Sequence, residues 1–364
     1  MMKWKNRILV ILVAAFLGGF GLWSVILKDQ EISVSERREL AQAPELSWDS
    51  LISGKYMNAF EEYVLDQFPM RDTFLGLKND ITEKVLFQKN ADYYVADGYA
   101  AAVESRLNEE SIAYAAERFR FLYDKYLADT DVNIYLSIIP DKNFFLAKPN
   151  GYLTMDYAKL AEQMQASMEY ASYIDLFPYL DCRDYYYTDT HWRQENILQV
   201  AEVLGQQMGV SLSSAYETRT IPQPFYGYYY NLVNQSMEPD TIRYLTNDVL
   251  EQAVVFDYET NRETDVYTLQ RAEGDDPYEI FLGGPKSLLT IENERASTDK
   301  ELIVFRDSFG SSLAPLLVEG YRKITLIDIR YIVPAMLGRF VTFDDQDVLF
   351  LYNAAVLNHS EALK

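Results

Sequence analysis

A stretch of 20 uncharged residues near the start of the chain, from Ile8 to Leu27, constrains the fold more than any other feature. At about 1.5 Å per residue, a helix of this length crosses the roughly 30 Å hydrocarbon core of a membrane. Three basic residues precede the stretch, and acidic residues follow it. The positive-inside rule then predicts a cytoplasmic stub (1–7), a transmembrane anchor (8–27) and a main domain outside the cytoplasm.

A cleaved signal peptide is the alternative interpretation of the same stretch. The apolar region of a signal peptide usually covers about 7–15 residues and ends at small residues. Here the bulky residues Trp23, Ile26 and Leu27 stand where small ones belong. We therefore expect a single-pass protein of the cell membrane whose anchor is retained.

The charge and the cysteine content exclude several classes of function. The formal net charge is −22, and because residues 1–27 contribute +3, the remainder carries −25. Such a surface repels phosphate backbones, so nucleic acid is not an expected partner. With one cysteine and two histidines, no intramolecular disulfide is possible and no structural metal site is expected.

The remaining chain predicts a polar tether (28–50) and one large domain (51–364). The domain begins with two helices interrupted at Phe68-Pro69 and a hairpin that turns at Asp97-Gly98. From residue 108 onward, helices alternate with apolar strands, which is typical of a parallel sheet covered on both faces. The helices are expected at about 109–127, 154–170 and 194–209, and the strands at VNIYLSII, SYIDLF, ELIVFR, KITLID and DVLFLY. Residues 212–290 lack this rhythm and are interpreted as an insertion or cap at one edge of the sheet.

Asp189 and His191 form the first candidate site, in the segment YYYTDTHWRQEN. A carboxylate two residues away can reach the imidazole Nδ1 and leave Nε2 to act as a base. Taken alone, the pair is better explained as a histidine packed beside Trp192 with an acidic residue nearby by chance.

Asp307 and Ser308 form the second candidate site, in the segment LIVFRDSFGSSLAPLL. A strand that turns into a helix exposes a serine at the carboxyl edge of the sheet, where backbone N–H groups can stabilise an oxyanion. The alternative is a helix N-cap, because both residue types are favoured there. Together with Asp189 and His191, Ser308 completes a set for acyl transfer.

These segments resemble the DHHW protein family and the related alginate O-acetyltransferase-like proteins, both of the SGNH hydrolase-like group. The resemblance lies in segments that occur in family order along nearly the whole domain: DQFPMRD (66–72), IIPDKN (138–143), DTHW (189–192), YEIFLGGPK (278–286) and RDSFGSSLAPLL (306–317). It implies a three-layer α/β fold with a parallel sheet. It also implies Ser308 as nucleophile, His191 as base and Asp189 as the acid that orients the base.

The resemblance further implies O-acetyl transfer to a surface or secreted polysaccharide, with a polytopic membrane O-acyltransferase as a partner that delivers acyl groups. No cofactor is implied, and the acyl donor is not identified. Deacetylation by the same residues is the alternative, as is a non-catalytic polysaccharide-binding or assembly module. A metal-dependent hydrolase that uses Asp189 and His191 lacks further evident ligands.

The chain departs from the family pattern at two positions. Thr190 replaces the second histidine of the DHHW name, and Arg306 stands where an SGNH hydrolase usually has glycine. Arg306 could alter the oxyanion hole, bind an anionic group or mark a member that has lost catalysis. Further candidates for substrate or oxyanion contacts are Gly283, Gly284, Gly310, Lys142 and Trp192, of which the two adjacent glycines could instead form a tight turn and Lys142 could pair with a carboxylate.

Overall fold

A computed structural model of the chain describes residues 2–30, 32–33, 38–81, 92–212, 215–230, 232–233 and 237–364. The chain divides into two units, one made of residues 1–90 with 230–236 and the other of residues 91–229 with 237–364. The candidate residues Asp189, His191 and Ser308 all belong to the second unit.

The first unit consists of helices and one pair of very short antiparallel strands. Its elements are α1 (Met2–Ile26), β1 (Ile32–Ser33), β2 (Arg38–Glu39), α2 (Trp48–Ile52), α3 (Lys55–Asp66) and α4 (Arg71–Asp80). Residues Asn6–Ser24 of α1 form the one helix, within the described ranges, that is long and apolar enough to cross a membrane. The break that Phe68-Pro69 predicts lies between α3 and α4, and the predicted continuation of the second helix past residue 81 lies outside the described residues.

The second unit contains the remaining helices and strands. In chain order they are β3 (Tyr93–Ala96), β4 (Tyr99–Ala102), α5 (Glu109–Leu122), β5 (Asn133–Ile139), α6 (Lys142–Leu146), α7 (Tyr157–Ser167), β6 (Ser172–Tyr173), α8 (Leu198–Gln207), β7 (Glu217–Phe225), β8 (Asp240–Thr246), β9 (Val254–Asp257), β10 (Arg262–Asp265), β11 (Leu288–Glu292), β12 (Glu301–Arg306), α9 (Phe309–Leu317), β13 (Lys323–Ile327), β14 (Asp347–Asn353) and α10 (Ala354–Asn358).

An eight-stranded sheet with the order β10-β9-β11-β13-β12-β14-β5-β6 forms the centre of this unit. The five strands predicted from the sequence lie side by side and parallel, as β13-β12-β14-β5-β6. The predicted α/β class is therefore confirmed. The sheet is nevertheless mixed, because β11, β9 and β10 continue it in antiparallel pairs. β9 and β10 come from the segment interpreted as an insertion, and β7 pairs with β8 in a separate ribbon.

Three layers follow from the alternation of apolar side chains along the strands. In β12, Leu302 and Val304 belong to one core cluster, whereas Ile303 and Phe305 belong to the other. The first cluster includes apolar side chains of α8 and α9, and the second includes those of α5 and α7. Because successive strand residues point to opposite faces, one buried strand serves both cores.

The predicted hairpin turn is confirmed, whereas one helix and one strand end earlier than the sequence predicts. The hairpin β3–β4 turns at Asp97 and Gly98, whose φ angles of 51° and 84° match the turn that such a dipeptide favours. The helix expected to reach residue 127 is α-helical to Leu122 and ends in a π-helical turn. The strand expected over SYIDLF is reduced to two residues, while Leu136 O still accepts a hydrogen bond from Ile174 N.

Candidate active site

The turn that carries Ser308 joins the carboxyl end of β12 to the first turn of α9. Asp307 is fully buried, and its carboxylate accepts hydrogen bonds from Phe309 N at 2.9 Å and from Asn353 N at 2.6 Å. These contacts tie the end of β12 to the end of β14. Burial raises the pKa of Asp307. The capping role that the sequence allowed for both residues therefore falls to Asp307, because the Ser308 side chain makes no capping hydrogen bond.

The Ser308 hydroxyl lies beside the imidazole of His191. The distance from Ser308 Oγ to His191 Nε2 is 2.8 Å, and the distance from His191 Nδ1 to Asp189 Oδ1 is 2.6 Å. Asp189 Oδ1 also accepts the His191 backbone N–H at 3.0 Å. Because a carboxylate oxygen accepts hydrogen bonds, Nδ1 carries the proton and Nε2 is left to accept one from Ser308.

The Asp189 carboxylate is held by a second loop that the sequence did not identify as part of the site. Tyr228 N donates to Asp189 Oδ2 at 2.8 Å. At Gly227, an added Cβ would lie 2.3 Å from Asp189 Cβ, which no side chain could tolerate. Gly227 N in turn donates to Thr188 Oγ1 at 2.9 Å. The glycine within the tyrosine-rich segment FYGYYY is therefore required by a close approach to Asp189.

The ring of Tyr278 covers one face of the His191 imidazole. Their ring centroids lie 3.9 Å apart with an interplanar angle of 8°. The Tyr278 hydroxyl lies 2.8 Å from Ser312 Oγ, which also accepts a hydrogen bond from Trp192 Nε1 at 2.8 Å. Trp192 thus acts on the site through Ser312 and Tyr278. Trp192 and the segment YEIFLGGPK are candidates from the sequence, whereas the sequence gives no signal for Tyr278 itself.

The other candidate residues take varied positions around the turn. Gly284 lines the cavity at Ser308, and an added Cβ there would lie 2.8 Å from the Glu279 carboxyl group; its neighbour Gly283 has φ 75°. At Gly310, an added Cβ would lie 2.8 Å from Arg306 Cβ, so the missing side chain makes room for the arginine stem.

Most backbone N–H groups at the start of α9 already have acceptors. Phe309 N is bonded to the Asp307 carboxylate, Gly310 N to Asp307 O and Ser311 N to Ser308 O. Within the described part of the chain, the N–H of Ser308 has no such acceptor. It is therefore the N–H of this turn that remains available to a developing oxyanion.

Lys142 is buried beneath the loop that carries Asp189. Its Nζ donates to Tyr186 O at 2.9 Å and to Tyr187 O at 3.3 Å, and it lies 5.0 Å from the centroid of the Tyr229 ring. Burial lowers the pKa of Lys142 to about 8, while the negative charge of Asp189 acts in the opposite direction. Lys142 does not belong to the described lining of the Ser308 cavity.

A cavity of about 180 Å³ opens at Ser308. Its lining residues come from the His191 loop, the 276–285 segment, the β12–α9 turn and the loop after β13: His191, Asp276, Tyr278, Glu279, Phe281, Gly284, Pro285, Arg306, Ser308, Ser311, Arg330 and Tyr331. Because a cavity of roughly 10–15 Å³ on this measure already holds one water, the space at Ser308 is large enough to admit a small organic group. No group of three or more His, Cys, Asp or Glu side chains is arranged to hold a metal ion in the parts of the chain that the structure describes.

Comparison with protein-family models and with curated protein sequences gives no match. Among solved structures, a DHHW family protein from Eubacterium siraeum aligns with a TM-score of 0.63 at 20% identity, over 76% of this chain and 94% of that one. The chain shares the fold of a DHHW family protein. This likeness confirms, at the level of the fold, the resemblance predicted from the sequence.

Bacillus cereus PatB1 has the same fold. Its structure aligns with a TM-score of 0.57 at 17% identity, over 74% of this chain and 97% of PatB1. A second PatB1 structure, which contains a sulfonyl adduct, aligns with a TM-score of 0.54 at 15% identity, over 73% of this chain and 97% of that one. The O-acetyltransferase domain of Pseudomonas putida AlgJ reaches a TM-score of only 0.45 at 12% identity, over 74% of this chain and 93% of the domain, which is too low for an inference.

Proposed function

We propose that this protein is a membrane-anchored O-acetyltransferase that modifies a surface or secreted polysaccharide outside the cytoplasm. The observation that carries the proposal is the continuous contact of Ser308, His191 and Asp189, with distances of 2.8 Å and 2.6 Å. A serine, an imidazole with a free acceptor nitrogen and a buried orienting carboxylate are the groups that acyl transfer requires.

In the first half of the proposed reaction, Ser308 Oγ attacks the carbonyl carbon of an acetyl ester and His191 Nε2 takes the hydroxyl proton. Asp189 stabilises the imidazolium that forms. The Ser308 N–H donates to the oxyanion of the tetrahedral intermediate. Collapse of the intermediate breaks the ester bond, and the leaving oxygen takes the proton from His191, which leaves an acetyl group on Ser308.

In the second half, a sugar hydroxyl gives its proton to His191 and attacks the acetyl-serine. The new ester forms on the sugar, the bond to Ser308 Oγ breaks, and the proton returns from His191 to Ser308. Water in place of the sugar hydroxyl would give hydrolysis with the same residues, so the acceptor and the exclusion of water decide between transferase and esterase.

Two further features support this assignment. The fold is shared with PatB1, of which one structure contains a sulfonyl adduct, and sulfonyl groups attach to activated nucleophiles. The apolar part of α1 is long enough to cross a membrane. Three basic residues precede this apolar part of α1. By the positive-inside rule, we propose that the N-terminus is cytoplasmic and that the second unit lies outside the cytoplasm. A polytopic membrane O-acyltransferase would then supply acetyl groups across the bilayer.

The test is acetyl transfer by the detergent-solubilised full chain, with 4-nitrophenyl acetate as donor and oligosaccharides of a surface polysaccharide as acceptors. We expect acetylated oligosaccharide by mass spectrometry with wild-type protein and with Ser297→Ala, an exposed serine control, but not with Ser308→Ala. Release of acetate without sugar acetylation would identify an esterase. Folded wild-type protein that shows no Ser308-dependent turnover would contradict catalysis and support a binding module.

A further inference from the structure

Two arginines line the Ser308 cavity, and neither takes part in the proposed acyl-transfer steps. Arg306 is the last residue of β12, and Arg330 lies in the loop that follows β13. Because β12 and β13 are parallel neighbours, their carboxyl ends meet at the edge that carries Ser308. The two guanidinium groups are thus placed by the sheet itself.

Arg306 is almost completely buried, with a side chain that is 1% exposed. Its Nη1 donates to Asp307 O at 3.2 Å and lies 3.8 Å from Asp328 Oδ2. Its Nε and Nη2 have no hydrogen-bond partner among the described residues. A buried guanidinium with two unused donors is unfavourable unless another group supplies acceptors or negative charge. Arg306 therefore places an incompletely compensated positive charge at the wall of the cavity.

Asp328 is engaged mainly by the second arginine. Arg330 Nε lies 2.9 Å from Asp328 Oδ1, and Arg330 Nη2 lies 2.6 Å from Asp328 Oδ2. This two-pronged contact fixes the guanidinium plane, and within the described ranges no hydrogen bond is formed by Arg330 Nη1. The Arg330 side chain remains 19% exposed. The guanidinium of Arg330 is thus held in place through Nε and Nη2, while the N–H groups of Nη1 are available to bind a carboxylate.

Two acidic residues also line the cavity, and each has a partner. Asp276 Oδ1 accepts the Tyr278 N–H at 3.1 Å, and Glu279 forms an ion pair with Arg271 at 3.3 Å. They lie on the 276–285 wall, whereas the arginines follow the strand ends. The cavity therefore has an acidic side and a basic side, with Ser308 and His191 in the same lining.

We infer that the basic side of this cavity binds a carboxylate of the substrate, held by Arg330 and by the charge of Arg306 close to the reacting ester. The inference rests on the proposed function because it assigns the substrate class of that site. The carboxylate can belong to an acidic sugar of the acceptor or to a dicarboxylic acyl group that takes the place of acetyl in the same steps. The chain as a whole carries −22, so a preference for an anion requires a local site rather than the general surface.

Thermal unfolding of the full chain with matched pairs of ligands tests the inference without requiring turnover. Monomethyl succinate against dimethyl succinate represents the acyl source, and glucuronate against glucose represents the acceptor source. We expect the charged member of one pair to raise Tm with saturation while its neutral counterpart does not. The pair that responds identifies the source of the carboxylate.

Arg330→Gln should weaken binding of the responding anion by about tenfold or more, since a charge-assisted hydrogen bond is lost. Arg322→Gln removes an exposed arginine that pairs with Asp299 and serves as the matched control with unchanged binding. If Arg330→Gln folds poorly, the double variant Arg330→Gln with Asp328→Asn removes both partners of the ion pair. Equal responses to charged and neutral ligands in wild-type protein, or anion binding that survives loss of Arg330, would overturn the inference. Anion binding without any Ser308-dependent turnover would instead contradict the proposed function alone.

Discussion

The chain contains two histidines, and each contacts a carboxylate, but their surroundings differ in every other respect. His191 Nδ1 lies 2.6 Å from Asp189 and has a side chain that is 7% exposed, whereas His359 Nε2 lies 3.0 Å from Glu104 and has one that is 60% exposed. The second ring nitrogen of His191 meets a serine hydroxyl, and its face is covered by Tyr278. Both histidines thus contact a carboxylate. Only the Asp189–His191 pair is also buried, faces a serine hydroxyl and is covered by an aromatic ring.

The Glu104–His359 pair belongs to a structural junction. Glu104 Oε2 also accepts a hydrogen bond from Asn358 Nδ2 at 3.0 Å, and the Glu104 carbonyl accepts one from Asn143 Nδ2 at 3.2 Å. These contacts join the segment after β4 to α6 and to the end of α10. The comparison indicates that a histidine–carboxylate pair becomes a candidate base only when its free nitrogen faces a reactive group.

Replacement of the two histidines gives the largest expected difference between the pairs. His191→Ala should lower kcat/KM for 4-nitrophenyl acetate by about 10⁴-fold, because the general base is lost. His359→Ala should stay within about twofold of wild type, since the largely exposed His359 ring contacts Glu104 and no nucleophile. Steady-state kinetics on both variants, with circular dichroism as the folding control, measures the contrast. Equal losses of kcat/KM in the two variants would contradict the assignment of His191 alone as the base.

Replacement of the two carboxylates, Asp189 and Glu104, tests the same difference between a catalytic and a structural pair. Asp189→Asn should lower kcat by about 10⁴-fold, because an amide places a donor against Nδ1 and favours the wrong tautomer. Glu104→Gln should leave kcat nearly unchanged and reduce the free energy of unfolding by about 1–3 kcal/mol through its buried partners. Kinetics and urea unfolding of the same two samples separate these effects. A Glu104→Gln protein that is stable but inactive would contradict the structural role of the second pair.

Tyr278 tests whether the stacked ring matters to the first pair. Tyr278→Leu should lower kcat by about tenfold without a matching rise in KM, because an aromatic pair contributes about 0.5–1.5 kcal/mol. Tyr278→Phe keeps the ring and loses only the hydroxyl contact to Ser312, so it should lie much closer to wild type. If both variants lose the same activity, the hydroxyl network through Ser312 and Trp192 positions the site instead of the stacked ring.

The last prediction concerns stability rather than catalysis, and it involves Asp141, which lies near the second pair. Burial raises the pKa of Asp141 to about 7, and the charge of Glu104 adds to this, against hydrogen bonds from Tyr157 and Asn143. The folded protein therefore retains a proton that the unfolded chain releases near pH 4. The free energy of unfolding should fall as pH rises from about 4 to about 7, by at most about 1.4 kcal/mol per pH unit, and should be level above that range.

Asp141→Asn isolates this contribution. Its amide oxygen can still accept the hydrogen bonds of Tyr157 and Asn143 while the titrating proton is removed. Urea unfolding from pH 5 to pH 8 should show a flatter profile for the variant than for wild type. Parallel profiles for the two proteins would show that other groups cause the pH dependence.

The sequence predicted those parts of the molecule that rest on a regular pattern. The apolar run of β12 followed by Asp307-Ser308, and the spacing of Asp189 and His191, were sufficient to propose that these side chains meet at one edge of the sheet. The carboxyl ends of parallel strands lie at the same edge of a sheet, whatever the order of the strands within it. This prediction therefore did not require knowledge of the strand order.

The parts that could not be predicted come from the irregular region between residues 212 and 290. β10 has the sequence RETD, and every one of its residues is exposed. The sequence therefore has no alternation of apolar and polar residues that would predict its pairing with β9 in the main sheet. Gly227 and Tyr278 act on Asp189 and His191 through contacts between segments distant in the chain. A sequence pattern reports the neighbours of a residue along one element, and it does not report which ring covers an imidazole from another loop.

Covalent labelling of the full chain with a fluorophosphonate, followed by peptide mass spectrometry, tests most directly whether Ser308, His191 and Asp189 form a reactive unit. We expect one modified peptide that contains Ser308 in wild type and in His359→Ala, and no modification in His191→Ala. Folded wild-type protein that stays unlabelled, or labelling of Ser308 that is unaffected by loss of His191, would contradict a reactive unit of these three residues.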